Sequence, residues 1–179
     1  MTVTLITGGA RSGKSSAALE LAQVWGDPVT FIATAESLDA EMADRIERHR
    51  RERPASWTVI EEPLHIGQAV ALAPAEHCLV LDCLTLWSSN AMAAGIGDDE
   101  IVRQAEQCAA LAVARSSPVI VVTNEVGSGI VPANDISRRY RDLLGLVNAA
   151  WSRTGDAAYL AVAGRLLPLL RTDEVIRVQ

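Results

Sequence analysis

The sequence predicts an α/β fold with a mostly parallel central sheet, and two observations favour it. Short apolar runs alternate with segments of helical period, an order that implies crossover connections between parallel strands. Apolar residues form 49% of the chain but aromatic residues only 4%, so small aliphatic side chains must build the core, as in parallel strands buried beneath helices. A chain of 179 residues has the usual size of one domain, so we expect residues 1–179 to form a single unit. The strand-like runs are residues 3–7, 29–34, 57–60, 78–81, 119–123 and 158–163.

The first run leads into a phosphate-binding loop. Residues 8–15 match the pattern G-x-x-x-x-G-K-S and precede a helix predicted for residues 15–25, whose apolar positions are Ala18, Leu19, Leu21 and Ala22. The two fixed glycines let backbone N–H groups turn inward around a phosphate, which then lies at a helix N-terminus. The lysine supplies a charge near the β- and γ-phosphates, and the serine hydroxyl is a ligand for Mg²⁺. The loop consists of Gly8, Gly9, Ala10, Arg11, Ser12, Gly13, Lys14 and Ser15.

A basic segment follows the second run. Residues 45–53 contain five arginines of the chain's 16 basic residues, with His49 among them. On a helical wheel that starts at Leu38, Met42 falls at about 40°, Ile46 at about 80° and His49 at about 20°. The histidine therefore shares the apolar face, while some arginines belong to a solvated face. Two interpretations stay open: a structural histidine with a satisfied hydrogen bond, or an imidazole nucleophile in a positive environment that suits a triphosphate.

The fourth run ends in an acid. Residues 79–81 are apolar and lead directly into Asp82, which places a carboxylate at the tip of a buried strand. In proteins with a phosphate-binding loop, such an acid holds Mg²⁺ directly or through water. We therefore expect Asp82 near the nucleotide, and residues 83–87 are candidates for lining the same site.

Two long helices are predicted in the second half of the chain. The first starts at Asp98 or Asp99 as its cap and extends through residue 116, with an inward face of Ile101, Ala105, Cys108 and Leu111. The second starts at Asn134 or Asp135 and is ended by Gly155, with an inward face of Ile136, Tyr140, Leu143, Leu144, Val147 and Trp151. Loop 124–133 follows a strand end, where ligands bind in open α/β sheets, although its glycines equally suit a flexible turn.

Charge and cysteine content disfavour several kinds of partner and site. The net charge of −6 argues against nucleic acid and anionic membranes as general partners. Three cysteines without paired C-x-x-C spacing indicate neither a disulfide framework nor a zinc site. No apolar run approaches the roughly 20 residues of a spanning helix, and the N-terminal residues lack a signal-like pattern. We expect a soluble cytoplasmic protein with no stable membrane insertion.

Longer motifs resemble one family over nearly the whole chain. Besides residues 8–15, they comprise residues 31–35, 41–46, 49–54, 82–85, 122–127 and 129–132, together with Trp57, Glu61, Arg141, Asp142, Gly145 and Asn148. These motifs are similar to those of the bifunctional adenosylcobinamide kinases and adenosylcobinamide-phosphate guanylyltransferases of cobalamin biosynthesis. The block around His49 and residues 123–127 are the parts specific to that family. Arg48 departs from it where some relatives carry a second histidine, and Asp82 departs where relatives can carry Glu.

The resemblance implies a RecA-like P-loop NTPase fold of three layers and two reactions. A hydroxyl of adenosylcobinamide attacks the γ-phosphate of ATP or GTP, and GTP then transfers GMP to the new phosphate and releases pyrophosphate. The resemblance also implies a GMP–histidine intermediate at His49, movement of the helix that carries it, and a homotrimer. Ser15 and Asp82 are expected at Mg²⁺, and Asp82 is alternatively a nucleotide contact. Beyond the loop, the implied nucleotide-binding residues are Ala33, Thr34, Ala35, Arg50, Arg51, Glu52, Arg53, Glu61 and Asp82.

The same residues suggest two other functions. A monofunctional P-loop kinase of another small alcohol would leave His49 as a packed structural residue. A nucleotide-dependent switch would do no transfer chemistry, but the sequence lacks the Asn-Lys-x-Asp signature of guanine-binding switches, and Asn124-Glu125 does not replace it. The bifunctional transferase is therefore the favoured interpretation, with Glu61 as a carboxylate acceptor for the guanine N1 and N2 donors.

Overall fold

The computed structural model describes residues 2–26, 28–37 and 39–177, and these fold around a seven-stranded sheet. In chain order the strands are β1 (Val3–Gly8), β2 (Val29–Ala33), β3 (Thr58–Glu61), β4 (Cys78–Asp82), β5 (Val119–Val122), β6 (Ala157–Val162) and β7 (Arg165–Pro168). Across the sheet their order is β3-β2-β4-β5-β1-β6-β7. Neighbours pair in parallel except in the antiparallel β6–β7 hairpin. The predicted α/β fold with a mostly parallel sheet is therefore confirmed.

Helices cover both faces of this sheet and give three layers. They are α1 (Lys14–Trp25), α2 (Ala40–Glu52), α3 (Ile66–Leu72), α4 (Leu84–Ala93), α5 (Asp98–Val113), α6 (Asp135–Thr154) and α7 (Thr172–Arg177). Buried residues of α1 form the core on one face, whereas α3, α4, α5 and α6 supply the core on the other. Nowhere in the described residues is a helix long and apolar enough to cross a bilayer.

The centre of the sheet is apolar on both sides because both sides are covered. Every residue of β5 is buried, and so are the first four residues of β4. Along β4, Leu79 and Leu81 pack toward α3–α6, and the alternate residues Cys78 and Val80 pack toward α1. The edge strand β3 is mostly exposed instead, in line with its position at the margin of the sheet.

The predicted strands agree closely with the structure. Each of the six predicted runs corresponds to one of β1–β6, with ends that differ by at most one residue. Helix α6 is also as predicted: the Asn134 carboxamide accepts a hydrogen bond from Ser137 N at 2.7 Å, and Gly155 ends the helix. The alternation of apolar runs with turn residues was therefore a sufficient signal for the sheet.

Several finer predictions are wrong. Asp98 does not cap α5, because Gly97 holds the cap position and the Asp98 carboxylate instead accepts hydrogen bonds from Arg139 of α6. Three residues expected to face inward are substantially exposed, since they lie at the edge of an apolar stripe or in a first helical turn. Their exposed fractions are 38% for Leu21, 43% for Leu111 and 75% for Ile136.

Four elements were not predicted. Helices α3 and α7 contain only seven and six residues, and β7 only four, so none shows a clear period. Helix α4 is buried on most of its surface and lacks a polar face. The helix that carries His49 begins at Ala40, with Asp39 as its cap, and Leu38, the start of the predicted apolar stripe, lies outside the described residues.

The central strands should dominate the stability of the fold. We predict that Leu79→Ala lowers the free energy of unfolding by about 2–5 kcal/mol, because Leu79 is fully buried and its loss leaves a cavity in β4. Leu72→Ala is the matched control, since that side chain is 79% exposed, and it should change the free energy by less than about 0.5 kcal/mol. Urea unfolding followed by circular dichroism measures both values, and equal losses would contradict the assignment of the core.

Candidate active site

The carboxyl ends of β1, β2, β4 and β5 lie along the same edge of the sheet because these strands are parallel. A cleft of about 540 Å³ opens at this edge, next to the start of α1. Residues from the phosphate-binding loop, α2, the end of β4 and the end of β5 line it. They are Ala10, Arg11, Ser12, Gly13, Lys14, Ser15, Ser16, Arg48, His49, Glu52, Asp82, Cys83, Thr85, Leu86, Val122 and Asn124.

The phosphate-binding loop wraps around the Lys14 side chain. Its Nζ atom donates a hydrogen bond of 2.6 Å to Gly9 O and a longer one of 3.4 Å to Ser12 Oγ, and the side chain is only 7% exposed. Gly8 and Gly13 have φ angles of 152° and 97°, which favour glycine. The loop therefore has the compact backbone that a phosphate cradle requires, and it runs into α1 at Lys14.

A hydrogen-bond network fixes the strand ends beneath the cleft. The Thr34 hydroxyl donates to Cys83 O and accepts from Cys83 N, both at 2.8 Å, which ties the end of β2 to the residue after Asp82. On the other side, Thr85 Oγ1 accepts from Asn124 N at 2.7 Å, and Tyr140 OH donates to Thr85 O at 3.0 Å. The positions of Asp82 and Asn124 are thus set by neighbouring strands and by α6.

His49 lies in the cleft and not in the hydrophobic core. Its side chain is 33% exposed, and Nδ1 lies 3.3 Å from Glu52 Oε2 on the same helix. A second hollow adjoins the cleft and shares several of its lining residues. In this hollow, Met42, Ile46 and His49 face Ser15 and Asp82. The predicted apolar face of α2 is therefore real, but it faces the phosphate-binding loop across a cavity.

The arginines of α2 and of its C-cap point in different directions. Arg48 lines the cleft, and Arg53 stacks on Phe31, with its guanidinium carbon 4.3 Å from the ring centre. Burial, and to a lesser extent the charge of Arg50, lowers the pKa of Arg53. Arg50 is hydrogen-bonded to Glu61, and the Glu61 carboxylate raises the pKa of Arg50. Arg51 is 77% exposed and pairs with Glu47, so its side chain is directed away from the cleft.

The sequence-predicted site residues thus fall into three groups. Ala10, Arg11, Ser12, Gly13, Lys14, Ser15, His49, Glu52 and Asp82 line the cleft itself, and Ala33, Ala35 and Arg53 line the adjacent hollow. Gly8, Gly9 and Thr34 support these surfaces from beneath, through the loop backbone or the Cys83 contact. Arg50 and Glu61 are paired with each other, and Arg51 contacts Glu47. The structure does not bring these last three to the cleft.

Sequence analysis did not identify the residues that support the strand ends. Asn90 Nδ2 donates to Thr34 O at 2.9 Å, and Asn148 Nδ2 donates to Asn124 O at 2.9 Å. Asn148 was part of the family resemblance but carried no assigned role. One sequence feature could have identified these two asparagines: each places an amide side chain on the buried face of a helix, where it must find a hydrogen-bond partner.

A divalent cation has suitable donors in this cleft. The Ser15 hydroxyl and the Asp82 carboxylate line both the cleft and the adjacent hollow, and oxygen donors are the ligands that Mg²⁺ prefers. Within residues 2–26, 28–37 and 39–177, no group of three or more His, Cys, Asp and Glu side chains forms a complete metal site. Two protein ligands suit an ion that takes its remaining ligands from phosphates and water.

Comparison with known proteins agrees with this geometry. The model of the cobinamide kinase / cobinamide phosphate guanyltransferase family matches residues 4–169. The chain belongs to this family. Its members include the bifunctional adenosylcobalamin biosynthesis protein CobP of Pseudomonas aeruginosa, 42% identical over 168 residues that cover 92% of this chain and 95% of that protein.

Two further relatives bear the same description. The bifunctional adenosylcobalamin biosynthesis proteins CobU of Salmonella typhimurium and of Escherichia coli are each 38% identical, and each alignment covers 89% of this chain and 95% of the relative. Among solved structures, the flagellar accessory protein FlaH of Methanocaldococcus jannaschii aligns with a TM-score of 0.48 at 12% identity, covering 92% of this chain and 74% of that one. The family model and the three relatives with sequence similarity each match nearly the whole sequence.

The backbone of the phosphate-binding loop should not tolerate a side chain at its first position. A Cβ atom at Gly8 would lie 2.5 Å from Ala161 O, and the φ angle of 152° disfavours other residues. We predict that Gly8→Ala lowers the free energy of unfolding by at least about 2 kcal/mol. Gly9→Ala is the control, because a Cβ there meets nothing within 4 Å, and its unfolding midpoint in urea should match that of the unchanged protein. A stable Gly8→Ala protein would show that this loop backbone adjusts freely.

Proposed function

We propose that this enzyme phosphorylates adenosylcobinamide with ATP or GTP, and then transfers GMP from GTP to adenosylcobinamide phosphate through a GMP adduct on His49. One observation supports the proposal above all: Lys14, Ser15 and His49 line a single cleft at the carboxyl edge of the sheet. A phosphate-binding loop alone suits a kinase, whereas an imidazole in the same cleft adds a nucleophile that a kinase does not require. Family membership supports the same pair of reactions.

In the kinase step, the loop holds the nucleotide and the corrinoid supplies the nucleophile. Backbone N–H groups of residues 8–15 and the Lys14 ammonium contact the β- and γ-phosphates in this proposal. The side-chain oxygens of Ser15 and Asp82 would hold Mg²⁺, which neutralises charge on the phosphates when it is bound. The terminal hydroxyl of the aminopropanol arm attacks the γ-phosphorus, and the nucleoside diphosphate leaves.

In the guanylyl transfer step, His49 attacks the α-phosphorus of GTP. A nitrogen–phosphorus bond forms, the bond from the α-phosphorus to the bridging oxygen breaks, and pyrophosphate leaves. The phosphate of adenosylcobinamide phosphate then attacks the same phosphorus and displaces the imidazole, which gives adenosylcobinamide-GDP. Because His49 sits on α2 across the cavity from Ser15, we propose that α2 shifts toward the nucleotide before attack.

Recognition of guanine is assigned to the region where α2 meets the end of β3. The Glu61 carboxylate can accept from the N1 and N2 donors of guanine, a pattern that adenine lacks. In the structure that carboxylate binds Arg50, so guanine would replace or share this partner. We propose further contacts from Ala33, Thr34 and Ala35 and from Arg50, Arg51 and Arg53, with Arg51 turning inward from Glu47.

Covalent labelling tests the proposed function directly. Incubation with α-³²P-labelled GTP and Mg²⁺ should label the protein and release pyrophosphate, and a chelator should prevent labelling. His49→Ala should reduce labelling by at least about 1,000-fold and retain phosphorylation of adenosylcobinamide, because only the nucleophile of the second reaction is lost. Lys14→Ala should impair both reactions.

His65→Ala is the matched control for the histidine substitution. His65 precedes α3 and lines a separate groove between α3 and α5, so this variant should label like the unchanged protein. Full labelling of His49→Ala would mean that another residue is the nucleophile, and absence of any label with intact kinase activity would favour the monofunctional kinase.

We also propose that the enzyme assembles as a cytoplasmic homotrimer. The family resemblance suggests this assembly. The β6–β7 hairpin and the segment after it also expose an apolar surface, which suits a subunit contact. Its side chains, each between 45% and 61% exposed, are Val162, Leu167, Leu169 and Leu170. Free cysteines at 78, 83 and 108 suit a reducing compartment.

Sedimentation equilibrium measures the molar mass of the assembly and so tests the trimer. The mass should be about three times the chain mass of 19.1 kDa, and Leu167→Glu should lower it by placing a charge in the contact. Leu72→Glu, at an exposed position of α3, should leave the mass unchanged. A mass of 19.1 kDa for the unchanged protein would refute the trimer.

A further inference from the structure

Glu52 is an unexpected residue in a cleft built for phosphates. It lines the same cavity as the cationic side chains of Arg11, Lys14 and Arg48. Like charges at close range repel, so a carboxylate in direct contact with a triphosphate weakens binding. The family resemblance places Glu52 among the nucleotide-binding positions, but its charge makes a direct phosphate contact unfavourable.

The contact that Glu52 does make is with the proposed nucleophile. Its Oε2 atom lies 3.3 Å from His49 Nδ1, and the two residues are three positions apart, so they lie on the same face of α2. A carboxylate at this atom accepts from an Nδ1–H group, and the ring tautomer with hydrogen on Nδ1 has its lone pair on Nε2. A hydrogen bond at Nδ1 would therefore leave Nε2 as the nucleophilic ring nitrogen.

The same contact offsets charge on the ring. His49 is in the last turn of α2, where the partial negative charge of the helix end already favours a cation. Attack by a neutral imidazole on phosphorus leaves the ring positively charged, because the Nδ1 proton stays in place. A carboxylate beside Nδ1 stabilises that charge more in the transition state than in the ground state.

We infer that Glu52 is a positioning residue that holds Nδ1–H of His49, so that Nε2 attacks the α-phosphorus of GTP. This inference rests on the proposed function. The Nε2–phosphorus bond forms as the bond to the pyrophosphate oxygen breaks, and the proton remains on Nδ1 throughout. When adenosylcobinamide phosphate attacks, the Nε2–phosphorus bond breaks and its electron pair returns to Nε2, so Glu52 supports both steps without gaining or losing a proton.

Two substitutions at Glu52 separate its charge from its capacity to accept a hydrogen bond from His49. Glu52→Gln keeps an oxygen acceptor of similar shape, and Glu52→Ala removes both acceptor and charge. Glu47→Gln is the matched control, because Glu47 is an acid of the same helix that pairs with Arg51 and does not line the cleft. Rapid-quench labelling at saturating GTP gives the rate of adduct formation, and NMR of ¹⁵N-histidine-labelled adduct identifies the bonded ring nitrogen.

The unchanged protein should form the adduct at Nε2 alone. Glu52→Ala should slow adduct formation at saturating GTP by about 10- to 100-fold and yield a fraction bonded at Nδ1, whereas Glu52→Gln should retain Nε2 with a smaller loss of rate. Glu47→Gln should behave like the unchanged protein in both reactions. Thermal unfolding checks the fold, and if Glu52→Ala is unfolded, the rate loss of Glu52→Gln decides.

Three outcomes count against the inference or its basis. A Glu52→Ala adduct formed at the normal rate and only at Nε2 would overturn the positioning role. Weaker GTP binding with a normal rate at saturation would make Glu52 a nucleotide contact instead. Absence of any adduct on His49 of the unchanged protein would refute the proposed function itself, independently of Glu52.

Discussion

Parallel pairing of β4, β5 and β1 is the constraint on which the site depends. Val122 of β5 is in register with Ile6 of β1 on one side and with Asp82 of β4 on the other. One level of the sheet therefore fixes the start of the phosphate-binding loop, the acid at the end of β4 and the polar segment after β5. Burial of the apolar strands on both faces of the sheet stabilises this arrangement. At the carboxyl ends of the strands, the hydrogen bonds of Thr34 and Thr85 fix the backbone.

Helix α2 is attached in a different way. None of its described side chains is buried, and its contacts with the sheet include the Arg50–Glu61 ion pair and, just beyond its end, the stacking of Arg53 on Phe31. Exposed ion pairs add little to stability, because solvent screens their charges. A displacement of α2 thus disturbs little of the core, which suits the proposed movement of His49 toward the nucleotide.

The sheet and the phosphate-binding loop could be predicted from sequence because their signals are local. Each strand is a short apolar run between turn residues, and the loop matches a fixed spacing. For His49, the sequence predicted only the helix face on which it lies. A helical wheel places it on the same face as Ile46 but does not indicate whether that face contacts the core or lines a cavity. The direction of Arg50 was not predictable, because its partner Glu61 is on a different element, eleven residues further along the chain. The pairing of Arg51 with Glu47 was indicated by their i,i+4 spacing on one helix.

Phe31 gives this arrangement an intrinsic reporter. It is the only phenylalanine in the chain, it lies beneath the guanidinium of Arg53, and it lines the hollow that also contains His49. Its ring resonances need no assignment against other phenylalanines, and a cation above an aromatic face shifts them in a way that depends on distance. A single isotopically labelled residue therefore allows the seating of α2 to be followed in solution while nucleotide and corrinoid are added in turn.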